Sequence, residues 1–233
     1  MPKKTENSVE TLKKLSSLCA HLTEEQKNML LESMSIHHYR KNEVIYSEGE
    51  QPRYLYCLLD GKVKVFKDGV GGRSQTMRLY KAVEYFGYRA YISEERFLTT
   101  AAAIEPSTIA QIPLELIIKF AHRNNDLAWF FIMRLAKLLG MSEERTVNLT
   151  QKHIRGRLAE SLLFLRDSYG LEEDGCTISI YLSREDLANL SNMTTSNAIR
   201  TLSVFASEKL VAIDGKKIKI MNEGELERIS RMG

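Results

Sequence analysis

The sequence has little of what would mark a secreted, membrane-embedded or metal-bound protein. Its 233 residues hold only three cysteines, Cys19, Cys57 and Cys176. Their wide separation suits neither a disulfide framework, a zinc site nor an iron–sulfur cluster, so three reduced thiols are expected. The longest uninterrupted apolar run, Leu127 to Met133, falls far short of the roughly 20 residues of a spanning helix, and no membrane partner is expected. The opening residues, MPKKTENSVE, lack the apolar core of a secretory signal, which predicts a cytoplasmic location. There is no phosphate-cradling glycine loop, metal-ligand spacing or nucleophile–base signature, so a catalytic role is not expected. Charge of one sign is also scarce. The chain carries +3 overall, and residues 152–233 hold 12 basic and 12 acidic side chains. Binding to nucleic acid must therefore be argued from where charges sit.

What is present is the composition of an ordinary globular chain, 43% hydrophobic and 27% charged, long enough for one large or two modest domains. Residues 8–35 show apolar positions three and four apart, with Thr23 before Glu24, Glu25 and Gln26 as at a capped helix start. From about Ile36 to Ile112 the texture changes to short alternating runs. Asp60-Gly61 and Asp68-Gly69 break these runs as hairpin signals, so a small antiparallel barrel or roll is predicted. A long helix follows from Asp126 to about Leu149, with an apolar stripe at Leu127, Phe131, Leu135, Leu138 and Leu139. That stripe suggests a dimer seam; packing on its own barrel is the alternative. Leu135→Glu would accordingly be expected to split the dimer. A helix ending at Gly170, an extended CTISIYL, and a second hairpin at Asp214-Gly215 complete the chain.

The most informative stretch is LANLSNMTTSNAIRTL, 187–202. Leu187, Ala188, Leu190, Ala198, Ile199 and Leu202 recur at helical intervals, but Asn192-Met193-Thr194-Thr195 interrupts them. Two short helices meeting at a tight turn fit this pattern, with Ser183 capping the first and Thr194 the second. The second would then present small polar side chains and Arg200.

KNEVIYSEGEQPRYLYCLLDGKVKVFK (41–67), with Gly49 and Gly61 at its turns, is similar to the front of a cyclic-nucleotide-binding barrel. LSREDLANLSNMTTSNAIRTLSVFASEKLVAIDGKKIKI (182–220) resembles a winged helix-turn-helix, and is the more specific of the two matches. Together they identify the chain, from Leu15 onward, as resembling the Crp-Fnr family of bacterial transcription regulators. The resemblance implies an α+β fold with a jelly-roll-type antiparallel β-barrel sensor over 1–125, a long dimerisation helix and hinge over 126–151, and a winged helix-turn-helix over 152–233. It implies homodimers on two-fold symmetric promoter DNA, RNA polymerase as a partner, and a small-molecule effector in the barrel. The alternative is a regulatory module acting through protein–protein contacts. DNA would be met by Ser183, Arg184, Thr194, Thr195, Ser196, Asn197, Arg200, Lys216 and Lys217. Within that set Thr194 and Asn197 would face phosphates, and Thr195, Ser196 and Arg200 base edges.

The same resemblance places a candidate effector pocket at Gly87, Tyr88, Arg89, Leu98, Thr99 and Thr100, with Ser142 and Glu143 on the long helix. The cyclic-AMP-binding members carry a glutamate where Tyr88 stands and an arginine where Leu98 stands. Without that arginine no full charge opposes a cyclic phosphate, so cyclic AMP is not the expected cofactor. Arg89 could serve another anion or pair with Glu94 or Glu95. Only Cys19 lies where the oxygen-sensing branch has its cysteine cluster, so no iron–sulfur cluster is expected. His37, His38, His122 and His153 leave haem a minor option.

Overall fold

The structure, a computed structural model, describes Thr11, residues 13–69 and residues 71–233. Most of the helical run expected before Leu15 lies outside those residues. The chain forms two compact units, one of Met1–Lys67 with Met77–Leu139 and one of Asp68–Thr76 with Gly140–Gly233.

In the first unit, α1 (Ser16–Cys19) and α2 (Glu24–Ser33) precede eight strands. Thr23 starts α2 with a reciprocal capping box: its hydroxyl accepts from the Gln26 N–H while the Gln26 side chain accepts from the Thr23 N–H. Strands β1 (Ser35–Tyr39), β8 (Ser107–Pro113), β3 (Tyr54–Asp60) and β6 (Tyr85–Phe86) lie in that order in one antiparallel sheet. A second sheet is ordered β2 (Val44–Tyr46), β7 (Thr100–Ala103), β4 (Val63–Asp68) and β5 (Ser74–Tyr80). This is a jelly-roll-like roll of two sheets, and the expected barrel does not close.

The Asp60-Gly61 hairpin is a correction. Asp68-Gly69 does join neighbouring strands, but β3 and β4 belong to different sheets. Turn residues say that the chain reverses; they do not say which strand it then pairs with. Gly61 adopts φ 91°, and a Cβ there would fall 2.6 Å from the Pro106 carbonyl oxygen. That close approach needs glycine, and it fixes the crossover between sheets.

Between the strands lies α3 (Tyr88–Ile92); after them come α4 (Leu114–Ala121) and α5 (Asn125–Gln151). At 27 residues, α5 is about 40 Å long. The stripe expected to be its dimer seam is a second correction. Leu127 and Phe131 are fully buried in their own unit's core with Leu114, Ile117 and Tyr88, and Leu135 and Leu138 pack against the same cluster. The stripe is wide enough for either role, and only the neighbours decide. Fully burying such side chains is worth about 1.5–3 kcal/mol each, and here the roll's own helices take it.

The second unit contains α6 (Ile154–Tyr169), α7 (Arg184–Leu190), α8 (Thr195–Ser207), the hairpin β9 (Val211–Asp214) and β10 (Lys217–Ile220), and α9 (Glu223–Met232). Gly170 ends α6 as expected, at φ 78°. The extended CTISIYL stretch bridges to the hairpin through Thr177 and Lys219. Leu158, Leu162 and Leu165 of α6, Leu187 and Leu190 of α7, and Leu202 and Phe205 of α8 are all buried. α9 was not anticipated; Asn222 caps it, and Leu226 and Ile229 are its buried side.

Candidate nucleic-acid interface

Two short helices and the turn between them are defined by local chemistry. The Ser183 hydroxyl accepts from the Asp186 N–H at 3.0 Å and donates to the Asp186 carboxylate at 2.6 Å, starting α7. Asn192 takes φ 50°, the left-handed conformation its short polar side chain tolerates better than most. The neighbouring Met193 is buried, and the buried Ser191 hydroxyl donates to Ser161 Oγ of α6 at 2.8 Å. Thr194 then caps α8, accepting from the Asn197 N–H at 3.2 Å. Replacing such a cap by alanine costs about 1 kcal/mol.

On α8 the buried side is Ala198, Thr201, Leu202 and Phe205. Thr195, Ser196, Ile199, Arg200, Ser203, Val204 and Ser207 are exposed. Ile199 corrects its grouping with the apolar core positions. It stands one residue beyond buried Ala198, and that step of about 100° rotates it onto the open side. The Arg200 guanidinium donates to Asn197 Oδ1 at 2.7 Å, so Asn197 holds the arginine in place.

The start of α7 and the hairpin tip are tied together, because Arg184 donates to the Gly215 carbonyl at 2.6 Å. Lys216, next in the chain, is exposed. Lys217 differs, lying 3.8 Å from the Glu172 carboxylate and 5.4 Å over the Tyr181 ring. Elsewhere in this unit Lys152, Arg155, Arg166, Lys219, Arg228 and Arg231 are matched with carboxylates. Among the described residues, Arg184, Arg200 and Lys216 have no carboxylate within salt-bridge distance. The neutral bulk charge thus resolves into internal pairs plus unmatched charges of both signs: among the described residues Glu173, Glu185 and Asp214 stand outside the ion pairs, as do Arg184, Arg200 and Lys216 at the helix-turn-helix and wing.

Sequence reasoning missed the side chains that cap α7 at its far end. Gln75 donates to the Asn189 carbonyl at 2.8 Å, and Arg145 to the Leu190 carbonyl at 2.9 Å. Arg73 reaches Asn192 Oδ1 at 3.3 Å. The first two satisfy backbone carbonyls a helix end leaves open, and Arg73 holds the turn side chain. Gln75 and Arg73 come from more than a hundred residues away in sequence, and no local pattern announces them.

The candidate effector residues of the roll are scattered. Gly87 takes φ 87°, and a Cβ there would fall 2.5 Å from the Tyr56 ring, so its role is close packing. Tyr88 is buried against the Phe131 ring at 5.3 Å. Arg89 is exposed and pairs with Glu95 at 2.8 Å, the surface option, which holds the Glu95 carboxyl below its usual range. Leu98 is 52% exposed. The Thr100 hydroxyl accepts from the Glu48 N–H at 3.1 Å. Thr99 bonds the Tyr46 hydroxyl, whose pKa burial pushes up to about 12. Ser142 and Glu143 are exposed on α5.

The roll's interior is filled by its own rings. Tyr46 stacks on Phe97 at 3.7 Å, Tyr56 on Phe86 at 5.1 Å and Tyr80 on Phe86 at 5.0 Å. An open cleft of about 820 Å³ runs along Glu48–Gln51, Arg53 and Arg96, and none of the candidate effector residues lines it. Cys19 and Cys57 are buried, and burial raises both thiols, Cys57 to about 12, so neither is a ready thiolate.

Residues 36–124 match the family model for a cyclic nucleotide-binding domain, and residues 156–229 that for a Crp-like helix-turn-helix domain. The chain belongs to the Crp-Fnr family of transcription regulators. The global nitrogen regulator of Synechococcus elongatus is 25% identical over 192 residues, 81% of this chain and 86% of that protein. The CRP-like cAMP-activated global transcriptional regulator of Mycobacterium tuberculosis is 21% identical, across 83% of this chain and 87% of that protein. Among solved structures, FixK2 from Bradyrhizobium japonicum superposes with a TM-score of 0.77 at 23% identity, covering 84% of this chain and 96% of that one.

For this Crp-Fnr protein the roll predicts a negative result with cyclic AMP. Where the cyclic-AMP members resembled above place a glutamate and an arginine, it has a ring buried in a core and an exposed leucine. Isothermal calorimetry at millimolar cyclic AMP is expected to show no saturable heat. A dissociation constant in the micromolar range would overturn this.

Proposed function

We propose that the protein is a homodimeric, sequence-specific DNA-binding regulator that lays α8 in the major groove of a two-fold promoter site. The observation that carries this is the face around Thr194–Arg200. It is a capped helix start with small exposed side chains and a guanidinium held by Asn197, beside cations lacking carboxylate partners at Arg184 and Lys216. Backbone N–H groups at the starts of α7 and α8 suit phosphates, while Thr195, Ser196 and Arg200 suit base edges. Lys216 at the wing suits an adjacent phosphate, and Lys217 supports the wing from behind. RNA polymerase is the partner expected beside such a promoter-bound dimer. An effector, where one acts, would bind one arrangement of the dimer more tightly than the other. The roll's interior is filled by its own stacked rings, which argues against a nucleotide lodged inside it.

The second copy is proposed to sit on the other face of α5. Trp129 (60% exposed), Ile132 (51%), Met133 (54%), Leu139 (61%) and Val147 (50%) form an apolar stripe there, with Ala136 and Gly140 between them. At 100° per residue this stripe points about 160° away from the buried Leu127–Phe131 side. An exposed apolar band on a helix of this length calls for a partner, and a two-fold operator calls for a second copy. A mobility-shift assay with promoter fragments from the protein's own operon tests the whole reading. Retarded complexes with a symmetric protected footprint are expected, and no retardation at micromolar protein would refute it.

A further inference from the structure

Ile199 is a large apolar side chain on the exposed face of α8, set among hydroxyl residues, while the other, Val204, lies about 140° further round. By helical rotation it lies about 40° from Thr195 on one side, and about 40° and 60° from Ser203 and Ser196 on the other. It is 47% exposed, while its immediate neighbours on that face are hydroxyl residues and Arg200. Ala198, Leu202 and Phe205 supply the helix's fully buried apolar contacts, and about half of the Ile199 side chain stays open to solvent.

From this placement we infer that Ile199 reads the C5-methyl group of a thymine in each half-site, next to the base pair that Arg200 contacts. The inference rests on the DNA-binding reading above and extends it to a specific base. In the major groove only thymine presents an apolar group, whereas cytosine presents an amino donor there and guanine and adenine present acceptors. An aliphatic side chain pressed on a polar edge strips its water and returns no hydrogen bond, so it selects for thymine and against cytosine. Isoleucine is stiff at χ1, and its methyl groups are presented with little rotamer freedom to lose. Thr195 and Ser196 are short enough to let the helix come close. The Ser203 hydroxyl is turned inward, donating to the Ile199 carbonyl at 3.0 Å, and leaves the isoleucine side chain uncovered.

The test is selection from random duplex DNA with wild type and Ile199→Ala, followed by titration of the selected site with deoxyuridine replacing thymine one position at a time. Wild type should lose affinity about fourfold in a half-site at one thymine, the worth of about one buried methyl group. Ile199→Ala should bind the thymine and deoxyuridine sites equally and lose its preference at that base pair alone. Ile199→Val, which keeps a branched methyl surface, should retain most of the discrimination. Equal wild-type affinity for thymine and deoxyuridine at every position, or an unchanged preference in Ile199→Ala, overturns the inference. Either result leaves DNA binding itself intact. A wild type that selects no sequence at all instead sinks the DNA-binding reading.

Discussion

Leu139→Glu is expected to leave the protein monomeric and without measurable affinity for a two-site operator. Leu139 is 61% exposed in the single chain, so the substitution costs the fold little. At a two-fold seam, however, it places two carboxylates in the buried stripe of Ile132, Met133 and Val147. Desolvating each costs several kcal/mol with no cation to repay it, and the two repel. Binding to two half-sites depends on their being joined, since linkage makes the second contact intramolecular. Losing the dimer therefore loses operator affinity by orders of magnitude. Leu135→Glu is the control that separates the two faces of α5. Leu135 packs on its own unit's core, so that variant should melt at lower temperature, with the seam itself unaltered. Sedimentation equilibrium and thermal unfolding on both variants decide the matter. An unchanged dimer for Leu139→Glu would place the seam elsewhere.

Arg200→Ala is expected to relax sequence preference at one base pair in each half-site. A bidentate arginine–guanine contact discriminates by about 1–3 kcal/mol, and a symmetric site counts it twice. The Asn197 carbonyl that orients the guanidinium in the free protein is left without its partner, a smaller effect at an exposed position. Lys216→Ala should behave differently, weakening all sequences alike and reducing the salt slope by about one, because a phosphate contact carries no base information. Selection from random DNA combined with a salt titration distinguishes the two. If Arg200→Ala keeps the wild-type consensus, α8 does not enter the groove as proposed.

What the sequence determined by itself is whatever short-range chemistry specifies. Thr23, Ser183 and Thr194 start their helices because a hydroxyl reaches a backbone N–H three residues on. Asn192 makes the turn because few other side chains tolerate its backbone conformation; the Asp214-Gly215 signal marked the wing hairpin to within one residue, since Asp214 ends its strand opposite Lys217 and Gly215-Lys216 make the two-residue turn. The α5 span and the order of the parts were legible for the same reason.

Tertiary structure alone decided which partner each apolar or polar face meets. Periodicity exposed one apolar stripe on α5 but could not say that Leu127, Phe131, Leu135 and Leu138 pack on the roll while Leu139, with Ile132, stays outside, because helical spacing does not name a partner. Asp60-Gly61 announced a reversal, and only the strand pairing put the next strand into the other sheet, with Gly61 crowded against Pro106 at the crossover. Ile199 read as core until Ala198, one residue earlier, was found to occupy the buried side. Gln75, Arg73 and Arg145 hold the end of α7 from 45 to 119 residues away. Contacts at that separation depend on how the whole chain packs, and packing free energy is not encoded in any local window.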